Sequence, residues 1–241
     1  MIVDVDTYQY EPYHDPIDAY HGIPKPETIS FYTALETAEY LSKNYDFVSA
    51  LQNVIPTKFH ECPNYKALEK SRSRLNTIPS FRFYRKKNRT FNDQVQMLQQ
   101  RQTSIPVFNQ HILNLSTEIN SSRTTVAKGQ KVFYGLSEGQ FNAWKKIGFL
   151  PHFLSTSLSL TVAAEHSIRK TPMDSSGNTM CSNVVLILSL HDDQKAIFAP
   201  KGQPCEYELL FDRNATIKIN AEIKPPNGLF TIVTADLVGF Y

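Results

Sequence analysis

The chain has 241 residues, 41% of them hydrophobic and 20% charged, so it can bury a core and is not disordered as a whole. Lys and Arg number 25 against 23 Asp and Glu, a formal charge of +2, which gives no electrostatic case for nucleic acid as the main partner. Cys62, Cys181 and Cys205 are an odd set with no C-x-x-C pair, against both a disulfide framework and a cysteine zinc site.

Residues 1–26 are rich in Tyr, Asp, His and Pro without helical or strand period, and read as an irregular arm. Their first dozen carry acids where a secretory signal needs basic residues and an apolar run, so no cleaved leader is expected. Residues 27–45 place Ile29, Tyr32, Leu35, Ala38 and Leu41 at helical spacing, and 47–54 and 66–75 read as further helices separated by Pro56 and Pro63. His60-Glu61-Cys62 is too compact for one tetrahedral ion and reads as a surface turn. Phe81 to Tyr84 alternates like a strand, and the basic run of residues 85–89 reads as a solvated turn. Residues 92–102 and 107–119 are helical in pattern. These segments predict a helical subdomain over 27–128.

Past residue 128 the character changes. Residues 131–134, 184–190, 206–211, 216–223 and 229–237 are short β-branched or aromatic runs bounded by turn residues. Residues 141–147, around Trp144, and 160–168 read as helices between the early strands. The order predicts an α+β fold, with helices covering one side of a mainly antiparallel β core. The longest apolar run, 184–190, is far too short to span a bilayer. No G-x-G-x-x-G, P-loop, H-E-x-x-H or G-x-S-x-G motif occurs.

Three segments stand out together: Lys131-Val132-Phe133-Tyr134-Gly135-Leu136; Phe153-Leu154-Ser155-Thr156-Ser157, followed by the helix from Leu160; and Gln203-Pro204-Cys205-Glu206-Tyr207-Glu208-Leu209. Taken singly, each has an ordinary reading as a turn, a strand end or a polar-faced strand. In this order they resemble the arginine-type mono-ADP-ribosyltransferases, the R-S-E class of bacterial toxins and vertebrate ecto-enzymes. That family has a strand with Arg-Gly, then an aromatic-x-Ser-Thr-Ser strand and helix, then a loop and a Glu-x-Glu strand. The resemblance covers residues 129–241 and implies an ADP-ribosyltransferase-like β-sandwich catalytic core.

The resemblance implies transfer of ADP-ribose from NAD, as substrate, to arginine side chains of a target protein, with release of nicotinamide and no metal. Glu208 would stabilise the oxocarbenium-like transition state as the glycosidic bond breaks. Ser155 would orient Glu208, while Thr156 and Ser157 brace the strand. Glu206 would position the acceptor guanidinium and take its proton. Gln203 and Pro204 would belong to the acceptor-recognition turn. Phe153 would wall the nicotinamide pocket, and Gly135 would admit the dinucleotide close to the backbone.

The chain departs from the pattern at Tyr134, where the family has an arginine that contacts NAD with its charge and forked donors. Arg123, Arg85 and Arg82 are the candidate replacements. Two other functions stay open: a lapsed transferase fold acting as a binding module, and an NAD glycohydrolase. His152 is expected on a solvent-facing loop, and His166 and Arg169 on a water-facing helix side. Cys205 adjoins Glu206 and would make the site sensitive to thiol reagents. The setting implied is a monomeric toxin or effector, secreted without a cleaved signal and acting in a host cell, with a cytoplasmic enzyme as the alternative.

Overall fold

The structure is a computed structural model and describes residues 33–43, 45–50, 78–99, 105–122, 124–172, 182–199, 208–226 and 228–240. The expected helix over 66–75, the arm, all three cysteines and the segment carrying Gln203, Pro204 and Glu206 lie outside these residues.

Among the described residues four helices come first: α1 (Ala34–Lys43), α2 (Tyr45–Ala50), α3 (Pro79–Gln99) and α4 (Pro106–Asn120). Then follow β1 (Thr125–Val126), β2 (Lys131–Ser137), α5 (Glu138–Ile147), β3 (Phe149–Leu150), β4 (Leu154–Ser157) and α6 (Leu160–Lys170). The chain continues through β5 (Asn183–Leu190), β6 (Gln194–Lys195), β7 (Ile197–Ala199), β8 (Glu208–Phe211), β9 (Ala215–Ile223) and β10 (Phe230–Phe240). The anticipated α+β order holds.

Eight strands form one ladder in the order β3-β9-β10-β5-β2-β4-β8-β7, with β1 and β6 paired apart. Within the ladder β10 and β5 run parallel, and the remaining neighbours run antiparallel. The join between β2 and β4 is the single pair Phe133–Ser157. That join is where the ladder folds back on itself. Phe211 of β8 stacks on Phe240 of β10 with ring centroids 5.9 Å apart, although three strands separate them along the ladder. In a flat sheet four strand spacings would hold them about 19 Å apart. The ladder is therefore a sandwich of a five-stranded half (β3-β9-β10-β5-β2) and a three-stranded half (β4-β8-β7).

Three apolar clusters hold the layers together. The first lies between the two halves, where Val132, Tyr134 and Leu136 of β2 and Leu186 and Leu188 of β5 join Leu209 and Phe211 of β8. The second covers the outer face of the five-stranded half, packing Ala38 and Leu41 of α1 and Ala163 and Ala164 of α6 on Phe133, Val185 and Ile232. The third covers the outer face of the three-stranded half, packing Tyr84, Phe91, Ile112 and Leu115 of α3 and α4 on Phe153, Ile197 and Leu210. Helices thus cover both outer faces rather than one side, because each half of the folded ladder has an apolar outer face to bury.

The turn and strand expected over 81–89 are corrected to the body of α3. Phe81, Tyr84, Phe91 and Val95 form a helical stripe that a four-residue window misses, and all four are buried. The helix kinks at Lys87, whose φ and ψ are −134° and 24°. Its first turn is tied to α4: the Glu118 carboxylate accepts from the Ser80 and Phe81 amides at 3.3 and 3.2 Å. Ser137 and Gln140 close a capping box at the start of α5, and Gly148, at φ 78°, ends it in the left-handed conformation. The Ser159 hydroxyl caps α6 by accepting from the Val162 amide.

Candidate active site

A cavity of about 640 Å³ opens at the β2–β4 join, walled by both halves of the sandwich, by α6 and by the middle of α3. Tyr134, Gly135, Phe153, Ser155, Thr156, Ser157 and Glu208 all line it. Strand geometry brings the acid and the serine together. Ser157 pairs with Glu208 and Ser155 with Leu210, so Ser155 and Glu208 are diagonal neighbours on one face. The Ser155 hydroxyl donates to Glu208 Oε1 at 2.6 Å. Its neighbours are occupied structurally: the Thr156 hydroxyl donates to the Leu209 carbonyl at 3.0 Å, and Ser157 Oγ accepts from the Ser159 amide at 2.9 Å.

The other oxygen of Glu208 is met from the far end of the chain. Arg85 Nη1 lies 2.7 Å from Glu208 Oε2, with the Glu208 side chain 6% exposed and that of Arg85 33%. The helical turn that corrects the 85–89 reading is what brings Arg85 here. Of the three candidate arginines, Arg85 faces the acid, Arg82 is exposed away from the lining, and Arg123 lies outside the described residues. Tyr84, one residue earlier, is buried against the same wall. Burial and the nearby Glu208 carboxylate push its hydroxyl well above the usual phenol range.

At β2 the site is built differently from the sequence expectation. Gly135 sits under α6: a Cβ there would lie 1.8 Å from the Ala163 carbonyl oxygen and 2.7 Å from the Ser167 amide nitrogen. Bare backbone is needed at 135 for the helix to dock. Tyr134 is 7% exposed, and its hydroxyl lies 3.3 Å from His152 Nε2. His152 is thus half-buried against Tyr134 rather than solvent-facing. Burial, with Lys170 nearby, lowers its pKa to about 4, so its ring is neutral, with one donor and one acceptor nitrogen. Phe153 is a core residue, 1% exposed, between Tyr84 and Phe91, and also a wall of the cavity.

Sequence reasoning missed Lys170 altogether. Its ammonium donates to the Gly135 carbonyl at 2.8 Å and sits 4.7 Å from the centroid of the Tyr134 ring. The available signal was the stripe Ala163, Ser167, Lys170 on α6, at offsets of four and three from the face that meets Gly135. Arg169 and His166 reach the cavity rim, with Arg169 exposed and paired to Glu165 at 2.6 Å. The cavity therefore holds a carboxylate with a hydroxyl donor on one wall and an ammonium on another.

No family model matches the chain, and no curated protein does. Among solved structures it is similar to bacterial ADP-ribosyltransferases. One is C3larvin toxin from Paenibacillus larvae, at 18% identity and a TM-score of 0.46, covering 73% of this chain and 93% of that one. A second is Vis toxin from Vibrio splendidus, at 18% identity and a TM-score of 0.45, covering 86% and 83%. A third is an ADP-ribosyltransferase from Clostridium botulinum, at 14% identity and a TM-score of 0.42, covering 86% and 96%. Identity and score are both too low for these neighbours to say what the chain does, so its chemistry has to come from the cavity itself.

Proposed function

We propose that the chain is a mono-ADP-ribosyltransferase that takes NAD as substrate and transfers its ADP-ribose to an arginine side chain of a target protein. The observation that carries this reading is the Ser155–Glu208 pair at 2.6 Å on the wall of a cavity large enough for a dinucleotide. In the reaction the bond between ribose C1′ and the nicotinamide nitrogen breaks, and its electron pair leaves with nicotinamide. Positive charge then develops on the ribose, and a carboxylate held in place beside it lowers the barrier. Glu208 has that role in this reading, with Ser155 fixing its orientation. Tyr134 and Gly135 flank the dinucleotide, while Thr156 and Ser157 hold the strand beneath it.

The acceptor nitrogen attacks C1′ and loses a proton. A guanidinium is protonated at neutral pH, with a pKa above about 12, and needs a carboxylate to receive that proton. Glu206 is assigned this task, with Gln203 and Pro204 in the turn that meets the target. The Glu-x-Glu pattern of the sequence supports that part. The setting in keeping with it is a toxin or effector acting on a host-cell protein.

The test is to incubate the protein with labelled NAD and candidate acceptors and to map the modified residues. Label on arginine, lost in Glu208→Gln, is the expected result. Glu206→Gln is expected to lose arginine transfer and keep NAD hydrolysis. Free ADP-ribose without labelled protein would make the chain an NAD glycohydrolase instead. Absence of calorimetric heat with millimolar NAD would make it a binding module.

A further inference from the structure

We infer that Lys170 is the residue that anchors the diphosphate bridge of the bound dinucleotide, in the place left without an arginine by Tyr134. The inference rests on the NAD reading of the cavity and adds to it the second point of attachment. Lys170 is the last residue of α6, one turn beyond Ser167 on the stripe that docks against Gly135. Two groups of β2 pin its ammonium, the Gly135 carbonyl at 2.8 Å and the Tyr134 ring at 4.7 Å. Both are neutral. They fix the position of the charge without cancelling it, and among the described residues Lys170 forms no ion pair. The nearby Glu165 is already taken by Arg169. An ammonium carries three donors, and Gly135 uses one of them.

The charges that line the cavity are therefore arranged for a ligand with two unlike parts. Glu208 suits a portion that becomes cationic, and Lys170 suits an anionic portion. A nicotinamide dinucleotide has both, joined by a ribose. Tyr134 then has a positive use: its ring face holds the lysine that the family's arginine would have made unnecessary. Burial and the neighbouring Arg169 lower the Lys170 pKa to about 8, which leaves it mostly charged at neutral pH and neutral by pH 10. The ionisable groups around it are Arg169, His166 and Glu165 on α6, Tyr134 on β2 and His152 before β4, with Asp93 of α3 and Glu208 of β8 on the same cavity. Of these, Tyr134 is pushed above the usual phenol range and His152 is neutral above about pH 4, so neither mimics a lysine titration.

Calorimetric titration with ADP-ribose, which has the diphosphate, and nicotinamide riboside, which lacks it, decides the matter. Lys170→Met is expected to weaken ADP-ribose binding about 10–100-fold, the worth of a charge-assisted contact, and to leave nicotinamide riboside binding unchanged. Lys170→Arg is expected to restore much of the loss. Equal ADP-ribose affinity in wild type and Lys170→Met overturns the inference and leaves the transferase reading intact. Wild-type protein that binds ADP-ribose through Lys170 but never cleaves NAD overturns the transferase reading and leaves the anchor in place. If the methionine variant does not fold, wild-type affinity for ADP-ribose between pH 7 and 10 serves instead. It should fall at least about fivefold as the ammonium is lost, and a flat profile overturns the inference.

Discussion

The two oxygens of Glu208 have unlike partners, a neutral hydroxyl on Oε1 and a guanidinium on Oε2. Loss of either has a different consequence. Ser155→Ala should lower the rate of NAD cleavage up to about 100-fold with little change in KM, because the carboxylate keeps its charge and loses its aim. Steady-state kinetics on a variant with wild-type melting temperature checks this. Arg85→Ala leaves a buried carboxylate short of a partner and should cost about 1–3 kcal/mol of stability by urea denaturation, toward the low end because Arg85 is one-third exposed. A variant as stable as wild type would mean that solvent replaces the guanidinium without loss. At this scale the serine and the acid were legible because each sits in a short motif. Arg85 was named only as one of three arginines, since its partner is 123 residues away and no local pattern joins them. Lys170 carried only the α6 stripe as a signal, because its partner Gly135 is 35 residues away and no local motif joins them.

Elements show where periodicity is enough and where it is not. β5, β9 and β10 are long β-branched runs whose identity follows from composition. β7 has three residues and no turn signal before it, so only its ladder with β8 makes it a strand. The reading of 81–89 failed because alternation over four residues covers only about one helical turn, too short to tell a strand from an amphipathic helix. Gly135 shows a subtler limit: its place in a strand was clear, but its reason is the backbone of α6. Gly135→Ala should therefore destabilise the protein by about 3 kcal/mol or more, since the added methyl meets a carbonyl rather than a flexible side chain. Denaturant unfolding measures it, and a loss below about 1 kcal/mol would show that α6 can shift freely. Phe91→Ala, in the cluster that holds α3 on the sheet, should cost about 3–5 kcal/mol.

For the whole molecule, the expected boundary near residue 128 crosses a shared core, since α3 and α4 bury their apolar faces on β7 and β8. Unfolding should be a single transition, with Trp144 fluorescence and far-ultraviolet circular dichroism falling together. Two separated transitions would make the helices an independent subdomain. Stability should also depend on acid. His152 takes its proton near pH 4 in the folded chain, whereas an unfolded histidine takes it near 6.5. The unfolded state thus binds the proton first as pH falls. Stability is full above about pH 6.5 and declines toward pH 4, by about 3 kcal/mol from this group. Replacing His152 with Gln should flatten that part of the profile.

The one-pair join between β2 and β4 has a mechanical corollary. Tyr134, Gly135 and Lys170 ride on one leaf of the sandwich, Ser155 and Glu208 on the other, and along the ladder little more than a stitch connects them. A molecule long enough to grip both leaves works as a rivet across that seam. Occupancy should then slow amide hydrogen exchange in β2 and β4 together, far beyond the atoms it touches.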